Sequence, residues 1–233
     1  MIDRSLNYGR RYIEKFLHRS KPFSRVMDVG AGHGDDLGVA HRLSGDAELF
    51  AMESWPPYVE ELRQMGISVY PLNIERDRMP FNDEFLDVVI ANQVLEHTKE
   101  IFWIFHEISR VLKVGGKLII GVPNLASLHN RFLLAFGRQP SPIKTASAHV
   151  RGFTKNDILH FIHTCYPGGY TLTGFGGSNF YPFPPVLAKP LALAFPTLAW
   201  GIFLMLEKQK SYHGEFVYYP SANKLETNYF LGE

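Results

Sequence analysis

The 233-residue sequence has one cysteine, Cys165, which excludes a disulfide framework and fits a reducing, intracellular setting. It also lacks an excess of either charge, and a formal net charge of +1 gives no electrostatic reason to expect nucleic acid as the main partner. The opening MIDRSLNYGRRYIEKF is too charged for a secretory signal, so a cytoplasmic protein is expected. No uninterrupted apolar run reaches the length of a membrane span, about 20 residues. The nearest, Val186 to Leu206, is broken by Lys189, Pro190 and Pro196, and its last third reads as a buried strand. A short apolar helix covering a pocket is the expectation there, with peripheral contact to lipid or a lipid-linked substrate left open. The G-x-G-x-x-G spacing is missing too. Asp35 stands at the third position after Gly32, an acid where a pyrophosphate would sit, which argues against NAD.

What the chain does have is the stretch Arg25 to Asp36, RVMDVGAGHGDD. Val26, Met27 and Val29 form a short apolar run holding one acid, Asp28, and Gly30, Gly32 and Gly34 follow. Such a run bounded by glycines reads as a buried strand ending in a tight loop, whose missing side chains leave room for a ligand at the next helix N-terminus. A helix over Asp35 to Leu43 and a second strand over Glu48 to Glu53 follow. Glu53 lies 23 residues beyond Gly30, where nucleoside-binding βαβ units carry a carboxylate that accepts hydrogen bonds from the ribose hydroxyls.

Downstream, a helix over Pro56 to Met65 closed by Gly66 precedes a third strand over Ile67 to Leu72, and Leu86 to Ala91 reads as a central strand. An amphipathic helix fills Glu100 to Leu112, with Val114-Gly115-Gly116 ending it and a fifth strand over Lys117 to Val122. A first helix is expected over Leu6 to His18 with Ser5 as its N-cap, Tyr8 and Arg11 being packing and surface residues. Further helices are expected over Leu125 to Phe136 and Lys155 to Thr164, the latter opened by Thr154, and strands over Tyr170 to Phe175 and Gly201 to Glu207. The aromatic tail from Ser211 should be ordered against the body or a second subunit.

Asp28 and the glycine loop, Glu53, MPFNDEFLDVVIANQVLEH (Met79 to His97) and VLKVGGKLII together resemble the class I S-adenosylmethionine (SAM)-dependent methyltransferases, in particular the type 11, UbiE/UbiG-like group, over Arg25 to Val122. The resemblance implies a Rossmann-like α/β/α sandwich: a mostly parallel seven-stranded sheet, an antiparallel last strand, and a small helical insert or lid. It implies one domain over residues 1–233, with the N-terminal helix in 1–24, the SAM-binding half in 25–122 and the substrate side in 123–233. SAM would be bound by Asp28, Gly30, Ala31, Gly32, His33, Gly34, Glu53, Ser54, Asn73, Ile74, Asn92 and Gln93, with S-adenosylhomocysteine (SAH) as product.

Substrate contacts are expected from Asn124, Arg131, His149 and Arg151, and proton transfer from His97 or His149, whose ordinary pKa near 6.5 suits it. The loop Arg138 to Gly152 also holds Lys144, and these basic groups would suit a phosphate, sugar phosphate or carboxylate. Some relatives bind a divalent metal through an E-x-x-E-H element. Here Gln93 replaces its first carboxylate and His149 lies where a distant histidine completes such sites, and the reading taken is that Glu96 and His97 cap and orient the turn without a metal. The expected protein is a monomer or homodimer that methylates an O or N nucleophile of a small molecule, such as a sugar, glycan or lipid-linked intermediate. A SAM-binding regulatory module without turnover is the alternative.

Overall fold

The computed structural model describes residues 9–225 and 228–232, so Ser5, Leu6 and Tyr8 lie outside the described residues. The first described helix, α1 (Arg10–Arg19), follows Gly9 and buries Tyr12, Ile13, Phe16 and Leu17 at helical spacing. Arg11 lies over the Tyr12 ring at 5.0 Å, a packing contact as expected.

Alternation of strand and helix then builds the sheet. The elements are β1 (Arg25–Val29), α2 (Asp35–Leu43), β2 (Glu48–Met52), α3 (Pro56–Gln64), β3 (Ser68–Tyr70), β4 (Leu86–Asn92), α4 (Ile101–Val111) and β5 (Leu112–Pro123). There follow α5 (Leu128–Ala135), α6 (Lys155–Cys165), β6 (Tyr170–Ser178), α7 (Pro185–Ala194), β7 (Gly201–Lys208) and α8 (Glu215–Ala222). The seven strands run in the order β3-β2-β1-β4-β5-β7-β6, parallel except for β7, which pairs antiparallel with β5 and β6. This is the expected sandwich.

Both sheet faces are covered, which is why the central strands are apolar at nearly every position. Val26, Val88, Ile90 and Ile119 face Ile13, Leu37 and Leu62 of α1, α2 and α3. Their neighbours Met27, Val89, Ala91 and Ile120 face Ile104, Ile158 and Phe216 of α4, α6 and α8. The tail is ordered, with Phe216 fully buried and Tyr229 packed on Phe102.

Several boundaries differ from expectation: β3 is shorter and β6 runs on to Ser178, and the largest difference lies at the start of β5. Helix α4 ends at Val111 and not at Val114-Gly115-Gly116, because Leu112 turns extended (φ −78°, ψ 132°) and pairs with Leu86 of β4. Gly115 and Gly116 therefore lie inside β5. Among the described residues no helix is long and apolar enough to cross a membrane, and the apolar run 186–206 divides into α7, a short turn and most of β7.

Candidate active site

The order β2-β1-β4-β5 reverses the direction of sheet growth between β1 and β4, and open α/β sheets form their ligand crevice beyond the carboxyl ends of the strands at such a point. Gly30 to Gly34 occupies that position. Gly30 and Ala31 donate their N–H groups to the Met52 carbonyl at 2.8 and 3.4 Å, which ties the loop to the end of β2. Gly30 has φ 73°, and a Cβ there would lie 2.8 Å from Val94 Cγ2, so only glycine fits the turn.

A cleft of about 260 Å³ opens beside the loop, lined in part by Asp28, Gly32, His33, Asp36, Asn92 and Gln93. Asn92 ends β4 in register with Gly121, where a Cβ would lie 2.2 Å from Asn92 Oδ1. The bare Gly121 thus leaves Asn92 free to donate from Nδ2 to Asp36 Oδ2 at 2.7 Å. Gln93 has φ 58°, an uncommon conformation for a residue with a side chain; its N–H donates to Gly121 O at 2.7 Å, while its Nε2 is buried without a partner.

Two further residues line the cleft without having been expected. Arg10 of α1 forms an ion pair with Asp35 at the mouth, and Tyr58 of α3 stands against the His33 ring at 4.4 Å. Neither lies in a motif, and helical periodicity alone does not indicate which exposed face looks over a loop.

Glu53 lies just beyond β2. Its Oε2 accepts from Gly32 N–H at 2.9 Å and its Oε1 from Trp55 N–H at 2.8 Å, so the carboxylate joins the glycine loop to the start of α3. Each carboxylate oxygen retains acceptor capacity for a ligand hydroxyl. Ser54 is exposed beside it. Beyond β3, Asn73 Oδ1 accepts from Glu75 N–H at 2.9 Å and its own N–H donates to Asp77 Oδ2, which fixes the turn that carries Ile74.

The cleft is acidic. Burial raises Asp28 well above the usual carboxylate range, with the charges of Asp36 and Glu53 adding to the effect; burial also raises Asp36, against the donation from Asn92. A ligand carrying a sulfonium and an ammonium relieves this crowding only when the acids are ionised. SAM affinity is therefore expected to fall as pH drops through the raised pKa values of these acids, and Asp36→Asn to flatten that dependence, as read by calorimetric titration. Stability without ligand should run the other way: groups whose folded pKa is raised favour the fold at low pH, and that contribution is lost as pH rises through it.

One turn beyond Gln93, the residues Leu95–His97 form a short 3-10 turn. The Glu96 carbonyl accepts from Val150 N–H at 2.9 Å and Arg151 N–H at 3.2 Å, so the loop bearing His149 is clamped to it. His97 and His149 meet edge to face at 4.6 Å. His97 Nδ1 lies 3.3 Å from the Ala148 carbonyl, where it donates. Burial, followed by the neighbouring His149, lowers the His97 pKa and favours the neutral ring a base requires. Burial pushes the Glu96 carboxyl up to about 7.

Glu96, His97 and His149 each offer a ligand atom, all within 4.8 Å of one another, and Glu96 Oε2 and His149 Nδ1 are buried without partners. This donor set fits a divalent cation, which when bound would supply Lewis-acid activation of an acceptor hydroxyl. His149 is the distant histidine that the resemblance offers as completing such a site, and the structure brings it against Glu96 and His97.

The expected substrate residues divide. Asn124 is buried and engaged by the chain itself: its Nδ2 donates to the Thr197 and Ala199 carbonyls at 2.9 Å, and its Oδ1 accepts from Ala126 N–H at 3.0 Å. Its side chain thus fastens the end of β5 to the segment before β7, and it also contributes to the lining of the small cleft beside Arg131. Arg131 Nε donates to Ala126 O at 2.8 Å beside a small cleft of about 190 Å³. Arg151 donates to Lys99 O at 2.7 Å.

A larger cavity of about 700 Å³ went unexpected. It lies by α5 and the loop after it, beyond the carboxyl end of β6 and the start of β7, and its lining includes His129, Arg138, Lys144, Asn179, Tyr181 and Trp200. The three rings form one wall: His129 lies 4.5 Å from Tyr181 and 5.7 Å from Trp200, and Tyr181 5.4 Å from Trp200.

Sheet order, glycine loop and strand-two carboxylate define a Rossmann-like class I methyltransferase fold. Residues 27–120 match the family model described as a methyltransferase domain, type 11. The chain is 31% identical over 123 residues to the "Probable tRNA methyltransferase 9B" of Mus musculus, covering 52% of this chain and 26% of that protein. It is 27% identical over 108 residues to the ubiquinone/menaquinone biosynthesis C-methyltransferase UbiE of Vibrio campbellii, covering 43% of this chain and 42% of that one. The matches thus span less than half the length of these curated relatives. Among solved structures, the plantazolicin methyltransferase BpumL in complex with SAH aligns with a TM-score of 0.61 at 15% identity, over 89% of this chain and 87% of that one, which shows a shared fold. The cofactor of the family is S-adenosylmethionine.

Proposed function

We propose that this protein transfers the SAM methyl group to an oxygen or nitrogen of a small-molecule acceptor that carries a phosphate, as a sugar phosphate, glycan precursor or lipid-linked intermediate does. The observation that carries this reading is the 700 Å³ cavity, with its wall of three rings and its Arg138 and Lys144 cations, at the same end of the sheet as the cofactor cleft. Rings stack on the apolar face of a sugar or base, and the cations suit phosphate oxygens. The sulfonium is already an activated donor, so the protein's work is to bring nucleophile and methyl into line at about 3 to 3.5 Å and to exclude water. Asp28, Glu53 and the glycine loop hold the cofactor in this reading, and His149 with His97 takes the acceptor proton.

Radiolabelled methyl transfer across a panel of acceptors with and without phosphate tests it. Arg138→Ala and Lys144→Ala are each expected to raise KM for a phosphorylated acceptor about tenfold, with SAM binding unchanged. Transfer only to unphosphorylated acceptors would sink the phosphate assignment. SAM binding with no transfer to any acceptor would favour a binding module.

A further inference from the structure

Helix α7 is built inside out. Its buried positions are Ala188 and Ala192, while Val186 is 82% exposed, Leu193 62% and Phe195, just after the helix, 54%. A helix that faces only the protein core and water hides its largest apolar side chains; this one hides its smallest. Its neighbour α5 behaves alike. Leu128 of α5 packs against the cluster that holds these two alanines, yet Phe132, Leu134 and Phe136 at the other end are 58%, 56% and 79% exposed.

Charge on the same part of the chain has one sign. Residues 124–200 contain six lysines and arginines and a single acid, Asp157, a formal charge of +5 in a protein whose total is +1. Among these, Lys189 sits on the exposed face of α7 between Val186 and Leu193, and Arg138 and Lys144 line the cavity that α5 borders.

We propose that the exposed face of α7 docks onto an anionic lipid bilayer. Val186, Leu193 and Phe195 enter the headgroup boundary, and Lys189 reaches lipid phosphates with its stem along the apolar surface. Large apolar groups interleaved with cations and almost no acid are what such a surface selects. A second copy of this chain fits less well. Across a two-fold axis on α7, Lys189 would meet its own counterpart with no acid on the helix to offset it. The proposal goes beyond the acceptor chemistry above and stands whether or not the acceptor is phosphorylated.

Cosedimentation of the full chain with vesicles of phosphatidylcholine alone, or of equal parts phosphatidylcholine and phosphatidylglycerol, tests it. The protein is expected to pellet with the anionic vesicles and to be released by raised salt. Lys189→Glu should lower the partition coefficient about tenfold. Val186→Asp and Leu193→Asp should lower it further, and because both side chains are exposed, melting temperature should stay as in the parent and show that the variants fold. Equal binding to both vesicle types, no binding to either, or variants that partition like the parent would each overturn the proposal. So would a dimer in light scattering that Val186→Asp dissociates, which would assign the face to self-association.

Discussion

Glu53→Ala is expected to weaken SAM binding about 100-fold while leaving the ligand-free melting temperature within a few degrees. Its carboxylate accepts the Gly32 and Trp55 N–H groups, so truncation unties Gly32 from the start of α3 and removes the acceptor proposed for the ribose hydroxyls. Hydrogen bonds to a charged acceptor are worth about 1.5 to 3 kcal/mol each, and losing two reaches the 100-fold scale. Glu53→Gln is the sharper variant. An amide nitrogen placed against either backbone N–H sets donor against donor, so near-isosteric glutamine is expected to lose more than tenfold as well. Calorimetric titration measures both, and parent-like affinity in Glu53→Ala would remove SAM from this cleft.

The second large effect concerns turnover. His149→Ala is expected to lower kcat by about 100-fold or more, the usual contribution of a positioned base, with SAM affinity unchanged. Loss of SAM binding along with activity would instead give His149 a structural role through the loop it shares with Val150 and Arg151. Chelation separates proton transfer from cation chemistry at this cluster, because a base acting alone survives dialysis against EDTA, whereas a site in which Glu96, His97 and His149 jointly hold a cation loses activity and recovers it with added metal. Either outcome leaves the cofactor cleft unaffected.

The cofactor half was legible because its signals are local. Gly30 and Gly121 serve contacts made within a few residues or across one strand pair, and apolar runs such as Leu86 to Ala91 mark doubly covered strands. The acceptor half was less so. Asn124 has the residue type of a ligand-binding group, but the Thr197 and Ala199 carbonyls that claim it come from a distant segment. Arg10 and Tyr58 reach the cleft only through the packing of α1 and α3 around the loop. His129, Tyr181 and Trp200 are scattered along the sequence and become one wall only once β6 and β7 are laid down. The start of β5 was missed because Leu112 follows the helical period of α4 until its pairing with Leu86 overrides it.

The place of β7 bears on biosynthesis. It is the last strand in sequence but lies between β5 and β6, and β6 has no other partner in the sheet. While the chain emerges from the ribosome, β5 must therefore present a bare edge and β6 must wait unattached until Lys208 has been made. Ribosome-stalled intermediates ending before Gly201 should depend on chaperones to avoid strand-to-strand clumping, and should lose that dependence once β7 slots in.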